Sequence, residues 1–207
     1  MDPDSGLVAS DKFFSMKRLR ENEVSVPDSV YSISPDVAIN ATESLNYPIT
    51  VKLLSSFGGK GIMRASSDKE LKPILDTLQL LEQTICLQKF VNDCSINARI
   101  TIIGDNAYSF KMEADEEEWR ASPGSGGKLA EYDAPEEVEE LALKAAKTAG
   151  FDLCDVDIMV TEDSAYVVEI DLIQILTDEA SELTGKDLKK EVMEFIQSKV
   201  IEKNANL

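Results

Sequence analysis

A chain of 207 residues that is 43% apolar and 29% charged has the composition of a folded protein with one large domain or two small ones. Its formal net charge of −18 argues against broad contact with nucleic acid or with an anionic membrane surface. The chain contains no histidine, which excludes Ser-His-Asp and Cys-His catalysis and argues against a zinc site. Any metal is therefore expected to be a hard, oxygen-bound ion such as Mg²⁺ or Mn²⁺.

The sequence carries no membrane or secretion signal. No apolar run approaches the roughly 20 residues that span a bilayer, and the start, MDPDSG, lacks the basic and apolar regions of a signal peptide. Cys86, Cys94 and Cys154 include no C-x-x-C pair and lie in or beside apolar runs, which is typical of free, buried thiols. We therefore expect a soluble, cytoplasmic protein with neither a membrane nor a nucleic-acid partner.

Hydrophobic periodicity and turn residues predict an α+β protein with several antiparallel hairpins. After a polar lead-in over residues 1–10, the first half is predicted to contain a helix at 12–20, a short strand at 24–26 with an extended continuation at 30–33, a helix at 34–45, strands at 49–54 and 62–65, and a helix at 68–80. The second half is predicted to contain a strand at 85–91, a hairpin of strands 98–103 and 107–112, an exposed loop at 113–128, a helix at 135–150, a hairpin of strands 155–160 and 165–170, and a helix at 186–202.

The first candidate site is the segment YPITVKLLSSFGGKGIM at 47–63. Lys52 interrupts its apolar strand, so the ammonium needs an anionic partner or a stem that reaches the surface. The loop that follows, at 55–61, offers backbone N–H groups, hydroxyls and a further positive charge, which suits a polyphosphate. On this segment alone, a glycine-rich hairpin with a solvent-reaching lysine is an equally weighted alternative.

The second candidate site is the last predicted hairpin. If its turn centres near Asp163, Asp157 lies about opposite Glu169, and Asp171 falls on the same face. Like charges opposite one another destabilise a sheet, so the cluster indicates either a bound cation or a very wet surface. Carboxylates that hold Mg²⁺ against nucleotide phosphates would use this geometry, and a solvated strand face in an acidic protein is the alternative.

In their order and separation, the lysine strand, the glycine loop, the QKF strand and the carboxylate hairpin resemble an ATP-grasp domain, and more narrowly the RimK-like amino-acid ligases. The resemblance runs from about residue 11 to the C-terminus and is strongest in DKFFSMKRLRENEVSVPDSV, YPITVKLLSSFGGKGI, CLQKFV, NARITIIGD, VDIMV, VVEID and TGKD. It implies two α+β subdomains whose antiparallel sheets grip a nucleotide. The implied divisions are a helix-rich segment at 11–46, a small clamping subdomain at 47–91 and a larger subdomain at 92–207.

The resemblance also implies a role for individual residues. Lys52 looks like the strand lysine that contacts the phosphates, and Arg120 looks like the arginine near the transferred phosphate. Asn97 stands where the family often has a ribose-binding aspartate, and Arg99 keeps the arginine of that motif. The implied phosphate-covering flap includes Ser56, Gly58, Gly59, Lys60 and Gly61. The implied adenine-binding hinge is Gln88, Lys89, Phe90 and Val91. The implied metal ligands are Asp157, Glu169 and Asp171, the last in place of the family's usual asparagine.

The chain departs from the family's pattern in two segments. After Arg120 these ligases commonly continue with asparagine and a His-Arg-Gly-Gly run, whereas this chain has ASPGSGG. After the last metal ligand they usually have a Ser-Pro-Gly turn, whereas this chain has LIQI. The family also has a further α/β domain before the region that begins here near residue 11. We expect either a short form, completed by a homo-oligomer or a partner, or a truncated start.

The resemblance implies an ATP- and Mg²⁺-dependent carboxylate–amine ligase that works through an acylphosphate and releases ADP and phosphate. Its substrates would be ATP, an amino acid and a carboxylate acceptor, either a small molecule or a protein tail. An alternative is a catalytically degenerate ATP-grasp domain that binds nucleotide as a regulatory or scaffolding subunit. A weaker alternative is a purely structural domain that binds nothing.

Overall fold

Two antiparallel sheets, each covered by helices, form the fold. The computed structural model describes residues 11–54, 59–91, 94–115, 119–122, 125–172 and 176–205. Its helices are α1 (Lys12–Glu21), α2 (Pro35–Asn40), α3 (Thr42–Leu45), α4 (Asp68–Leu80), α5 (Glu136–Ala149), α6 (Asp178–Thr184) and α7 (Leu188–Ala205). Its strands are β1 (Ser29–Ser32), β2 (Ile49–Leu53), β3 (Ile62–Ala65), β4 (Ile85–Lys89), β5 (Ile96–Ile103), β6 (Asn106–Glu113), β7 (Lys128–Glu131), β8 (Leu153–Val160) and β9 (Ala165–Leu172). This arrangement confirms the predicted α+β class.

The smaller sheet has the strand order β1-β4-β2-β3, and neighbouring strands are antiparallel. Ile49 and Val51 of β2 are fully buried and pack with Leu71 and Leu75 of α4. Because successive side chains of a strand point to opposite faces, this packing directs Lys52 away from α4. The small sheet therefore has one apolar face under a helix and one face that carries polar groups.

The larger sheet has the strand order β7-β6-β5-β8-β9, also antiparallel. One face packs against α5, whose Ala142, Ala145 and Ala149 are fully buried against strand residues such as Ile100. Small side chains at helical spacing let this helix lie close to the sheet. A separate apolar cluster, which joins Ile103, Phe110, Ala180, Leu188 and Val192, holds α6 and α7 to the sheet.

A β-bulge interrupts the pairing of β8 with β9. Asp157 pairs with Glu169, but the next residue, Ile158, pairs with Val167, so one residue of β9 is extra. An extra residue reverses the alternation of faces. Val167 consequently lies in the core under α5, while Glu169 lies on the opposite face with Asp157. The register confirms the predicted opposition of Asp157 and Glu169.

Three predicted features of the chain need correction. The strand predicted at 24–26 is wrong, since the first strand is β1; Pro27, which lacks an N–H donor, separates the two segments. The helix predicted at 34–45 is divided at Ala41, where the hydroxyl of Thr42 donates to the Ile39 carbonyl at 2.7 Å. Strand β7 was not predicted; it begins at Lys128, the last residue of the region expected to be an exposed loop.

Helix α6 was missed because its seven residues bury only Ala180 and show no apolar period. Residues 11–46 contribute to both cores, since Leu19 packs under the larger sheet and Leu45 under the smaller one. The domain divisions at 46/47 and 91/92 stay predictions. Among the helices of the described residues, none has the length and apolar character to cross a membrane.

Two glycines with nearly equal φ angles offer a matched test of the packing of α7. Gly104 has φ +65°, and a Cβ there would lie 2.7 Å from the Phe195 ring of α7; Gly185 has φ +63° and open space around it. We expect Gly185→Ala to lower the free energy of unfolding by about 1 kcal/mol through backbone strain alone. Gly104→Ala should cost roughly 1–3 kcal/mol more, because Phe195 must move. Urea unfolding measures the free energy of unfolding of both variants. Equal losses would show that Phe195 does not pack on the turn at Gly104.

Candidate functional site

A cavity of about 780 Å³ has walls from both sheets. It brings together the following predicted site residues: Lys52, Gly59, Lys60, Gln88, Lys89, Phe90, Val91, Asn97, Arg99, Arg120, Asp157, Glu169 and Asp171. Gly61 is not part of the lining; its carbonyl accepts from the Leu53 N–H at 3.0 Å. Ser56 and Gly58 lie outside the described residues. Residues from distant parts of the chain thus converge on one cavity.

Lys52 extends from β2 into this cavity. Burial lowers the pKa of its ammonium, whereas the negative charges of Glu169 and Asp157 act in the opposite direction. The lysine that interrupts an apolar strand therefore faces carboxylates on the other sheet. This placement favours the first of the two possibilities left open by the sequence, an anionic environment for Lys52.

Arg99 and Asp157 form a two-point ion pair on neighbouring strands of the larger sheet. The Nε and Nη2 groups of Arg99 donate to the two oxygens of Asp157, each at 2.6 Å. The Arg99 side chain is 8% exposed and that of Asp157 is 24% exposed. Planar guanidinium and carboxylate groups matched in this way hold each other in a fixed orientation. In this state Arg99 is engaged with Asp157, while its predicted contact with the nucleotide stays a prediction.

Glu169 forms an ion pair with Lys12, the first residue of α1, at 2.5 Å. Burial would raise the pKa of Glu169, but the positive charges of Lys12 and Lys52 outweigh it and lower the pKa. Two ammonium groups from separate parts of the chain therefore keep this carboxylate ionised. Sequence reasoning did not identify Lys12 as a site residue.

A signal for Lys12 was present in the sequence. The N-terminal turn of a helix carries partial positive charge, so acidic residues are favoured there and a lysine is not. The first turn of α1 contains Lys12 and no acidic residue, although Asp11 caps it by accepting the Phe13 N–H at 2.8 Å. Such a local mismatch between residue type and position often marks a functional site.

Asp171 lies beside Glu169 on β9, and the two carboxyl groups share a hydrogen bond. Burial, together with the charge of Glu169, raises the pKa of Asp171 to about 7. Asp171 also pairs in register with Asp155, which is 2% exposed and accepts from the Thr101 hydroxyl at 2.7 Å. Four carboxylates thus share one face of β8 and β9.

The Glu169 and Asp171 pair fits a divalent cation. The two carboxyl groups lie together with a shared hydrogen bond. If both were ionised, their oxygens would repel each other, and a bound metal ion would remove that repulsion. Mg²⁺ in nucleotide sites commonly uses one or two carboxylates and completes its shell with phosphate and water. Within the described ranges, no group of three or more carboxylates or thiols is placed to hold a metal ion by itself. The fit is therefore to an open site that a nucleotide would complete, with Asp157 oriented by Arg99 at its edge.

The predicted hinge also lines the cavity. Gln88 is buried and its amide donates to the Ser29 hydroxyl at 3.1 Å, while the Lys89 N–H donates to the Asp28 carbonyl at 2.8 Å. The Lys89 N–H is thus occupied by the residue that precedes β1 and is not available to a base. Cys94 lies 3.6 Å from the amide oxygen of Asn97, also on the cavity wall.

The predicted free thiols are found among the described residues. Cys86 and Cys154 are buried, whereas Cys94 is only partly buried. Burial raises the pKa of each thiol. All three are therefore less reactive than exposed thiols would be.

Arg120 connects the loop after β6 to the smaller sheet. Its Nη1 donates to the Gly59 carbonyl at 3.1 Å and lies 3.5 Å from the Ile62 carbonyl. Two residues later, Ser122 lies so close to Gly59 that a Cβ at Gly59 would be 1.8 Å from its hydroxyl oxygen. Ser122, which belongs to the segment that departs from the family pattern, therefore packs directly on Gly59.

Comparison with known proteins agrees with this geometry. Residues 9–196 match the family described as the RimK-like ATP-grasp domain. A probable alpha-L-glutamate ligase of Shewanella loihica is 27% identical over 199 residues, which cover 95% of this chain and 65% of that protein. The chain thus spans somewhat less than two thirds of that relative.

Solved structures of ATP-grasp ligases share the fold. The D-alanine–D-alanine ligase from Bacillus anthracis complexed with ATP has a TM-score of 0.77 at 19% identity, over 96% of this chain and 69% of that one. The ATP-grasp ligase PsnB, complexed with a phosphomimetic precursor variant, Mg and ADP, has a TM-score of 0.72 at 17% identity, over 96% and 61%. At these identities the likeness concerns the fold alone.

The Arg99 and Asp157 pair allows a test of how the larger sheet is held. Asp157→Ala should lower the free energy of unfolding by about 3 kcal/mol, because it leaves the buried Arg99 charge without its carboxylate. Arg99→Met combined with Asp157→Ala should recover much of that loss. Glu162→Ala, on the exposed turn of the same hairpin, serves as the control and should change stability by less than about 0.5 kcal/mol. Additive losses in the double variant would contradict the pairing.

Proposed function

Because the chain belongs to the RimK-like ATP-grasp family, we propose that it is an ATP- and Mg²⁺-dependent ligase that joins an amine to a carboxylate through an acylphosphate, with release of ADP and phosphate. The observation that carries the proposal is one cavity that has Lys52 on one wall and the Glu169 and Asp171 pair on another. A bound polyphosphate needs direct neutralisation of its charge and a metal counterion. Lys52 can supply the first, and the Glu169 and Asp171 pair can hold the second.

The protein's part in the proposed reaction is electrostatic and positional. Lys52 would contact the phosphates from β2, and Arg120 would lie near the transferred phosphoryl group once the nucleotide is bound. Glu169 and Asp171 would hold Mg²⁺, with Asp157 at the edge of the site; Mn²⁺ suits the same oxygen donors. The metal would supply positive charge against the developing charge of the phosphoryl group. No general base is needed in this scheme if the amine is positioned against the acylphosphate.

The substrates are proposed from the relatives. The Shewanella relative is named a probable alpha-L-glutamate ligase, which suggests glutamate as the amino acid. The acceptor would be a carboxylate on a small molecule or on a protein tail, and PsnB, which is described in complex with a precursor, is an example of a peptide-binding relative in fold. A second copy or a partner that supplies a further domain, and a cytoplasmic location, stay predictions.

A degenerate nucleotide-binding subunit is the second candidate, and one observation favours it. The segment after Arg120 carries no cationic side chain before Lys128, so it lacks the family's His-Arg pair on the acceptor side of the site. This segment also packs closely on Gly59 through Ser122. The missing His-Arg pair removes groups that would orient an acceptor but leaves nucleotide binding possible.

Release of ADP separates the two candidates. We expect Mg²⁺-dependent ADP formation that requires both an amino acid, with glutamate tested first, and an acidic acceptor, measured with a coupled assay over a panel of both substrates. ATP binding without ADP release under any pair of substrates would support the degenerate subunit. Absence of ATP binding would contradict both.

Lys52 is expected to contribute most of the direct phosphate contact from the smaller sheet. Lys52→Ala should weaken ATP binding roughly 10- to 100-fold, because a hydrogen bond to a charged group is lost. Lys69→Ala removes an exposed lysine on α4, outside the cavity, and should leave the affinity unchanged. Isothermal titration calorimetry measures both variants. Equal affinities for Lys52→Ala and wild type would contradict the assigned role.

Two conservative substitutions test the metal pair. Asp171→Asn keeps an oxygen donor and removes a repulsive charge, so Mg²⁺ should still strengthen ATP binding in this variant. Glu169→Gln removes the carboxylate that the two lysines keep ionised, so the gain in ATP affinity on adding Mg²⁺ should fall about tenfold or more. The ratio of ATP dissociation constants with and without Mg²⁺ is the measurement. An unchanged ratio in Glu169→Gln would place the metal elsewhere.

A further inference from the structure

The chain's only tryptophan lies where the two sheets approach each other. Trp119 belongs to the loop between β6 and β7 of the larger sheet, and it lines the cavity together with Phe90 at the end of β4. The centroids of the two rings are 5.8 Å apart, at an interplanar angle of 59°. This is the separation of interacting aromatic side chains.

Arg64 of β3 joins the two rings. Its guanidinium carbon lies 5.7 Å from the centroid of Trp119 and 5.5 Å from that of Phe90. A guanidinium over an aromatic ring at this distance is attracted by the negative face of the ring. Arg64, Phe90 and Trp119 therefore form an aromatic clasp that connects the smaller sheet to a loop of the larger one.

The next residue along the chain reinforces the clasp. Arg120 donates to the Gly59 carbonyl just before β3. Strand β3 is one of the two edge strands of the smaller sheet in the described residues. Two consecutive loop residues thus contact one edge strand, Trp119 through a side chain and Arg120 through a backbone carbonyl beside it.

The clasp leaves part of Trp119 uncovered. Its side chain is 41% exposed although it contacts two other large side chains. A large aromatic surface that remains open on a cavity wall, beside the segment predicted to be the adenine-binding hinge, suits stacking against a flat heteroaromatic ring. Lys52 and the carboxylates suit the binding of phosphate groups, whereas Trp119 offers an apolar surface for a ring.

We propose that Trp119 contacts the purine base of the bound nucleotide, and that Arg64 and Phe90 hold it in position to do so. The inference rests on the proposed function, since it needs a nucleotide in the cavity. Trp119 adds affinity for the base, not for the phosphates. Arg64 acts only through Trp119 and is a positioning residue.

Tripolyphosphate, which has phosphates but no base, separates base contact from general support of the cavity. Trp119→Ala is expected to weaken ATP binding about tenfold and to leave the affinity for tripolyphosphate unchanged, both measured by calorimetry in Mg²⁺. Trp119→Phe, which retains an aromatic ring, should keep most of the ATP affinity. Arg64→Ala should weaken ATP binding to a smaller extent than Trp119→Ala, and Arg64→Lys should restore part of it.

The single tryptophan also reports on the contact directly. In wild type, Trp119 emission should change on addition of ATP and saturate with the dissociation constant found by calorimetry, while tripolyphosphate should leave the emission nearly unchanged. Equal weakening of ATP and tripolyphosphate by Trp119→Ala, or an unchanged ATP affinity, would overturn the proposal while leaving the proposed function intact. Absence of ATP binding by folded wild type would instead overturn the proposed function, and this inference with it.

Discussion

The structure depends on how it accommodates acidic groups that lie together on one sheet face. Asp157 pairs in register with Glu169, and Asp155 pairs with Asp171, an arrangement that is unfavourable without compensation. Arg99 compensates Asp157 within the sheet, and Lys12 compensates Glu169 from α1. Asp171 has no comparable ion pair among those seen in the described residues, and burial together with the charge of Glu169 raises its pKa. This remaining electrostatic strain is what makes the face suited to a cation.

The acidic face of β8 and β9 is also where the two sheets approach each other. Lys52 extends from the smaller sheet toward these carboxylates, and Arg120 and Trp119 extend from a loop of the larger sheet toward the smaller one. Each sheet thus directs charged or aromatic side chains across the cavity toward the other sheet. A bound ATP with Mg²⁺ would interact with the carboxylates and Lys52 through its phosphates and metal, and with the aromatic clasp through its base.

Sequence patterns predicted the features that depend on local periodicity, and missed those that depend on contacts between distant segments. The lysine strand follows from alternation along β2, and the structure has it. The opposition of Asp157 and Glu169 was predicted from a turn centred near Asp163, and in the structure it is present but depends on the bulge in β9. The bulge that places Val167 and Glu169 on opposite faces has no local signature. The pairing of Lys12 with Glu169 joins residues 157 positions apart, so only a chemical mismatch at the start of α1 hinted at it. The loop around Arg120 was the least predictable, because its position is set by contacts with Gly59 and Arg64.

The central claim is that the two sheets bind a nucleotide and a divalent cation between them. A crystal structure with a non-hydrolysable ATP analogue and Mn²⁺ tests it most directly, since Mn²⁺ is located by its anomalous scattering. The account predicts phosphate oxygens at the Lys52 ammonium and Mn²⁺ about 2.1 Å from oxygens of Glu169 and Asp171. A nucleotide bound outside this cavity, or Mn²⁺ bound elsewhere while Glu169 and Asp171 remain hydrogen-bonded to each other, would contradict it.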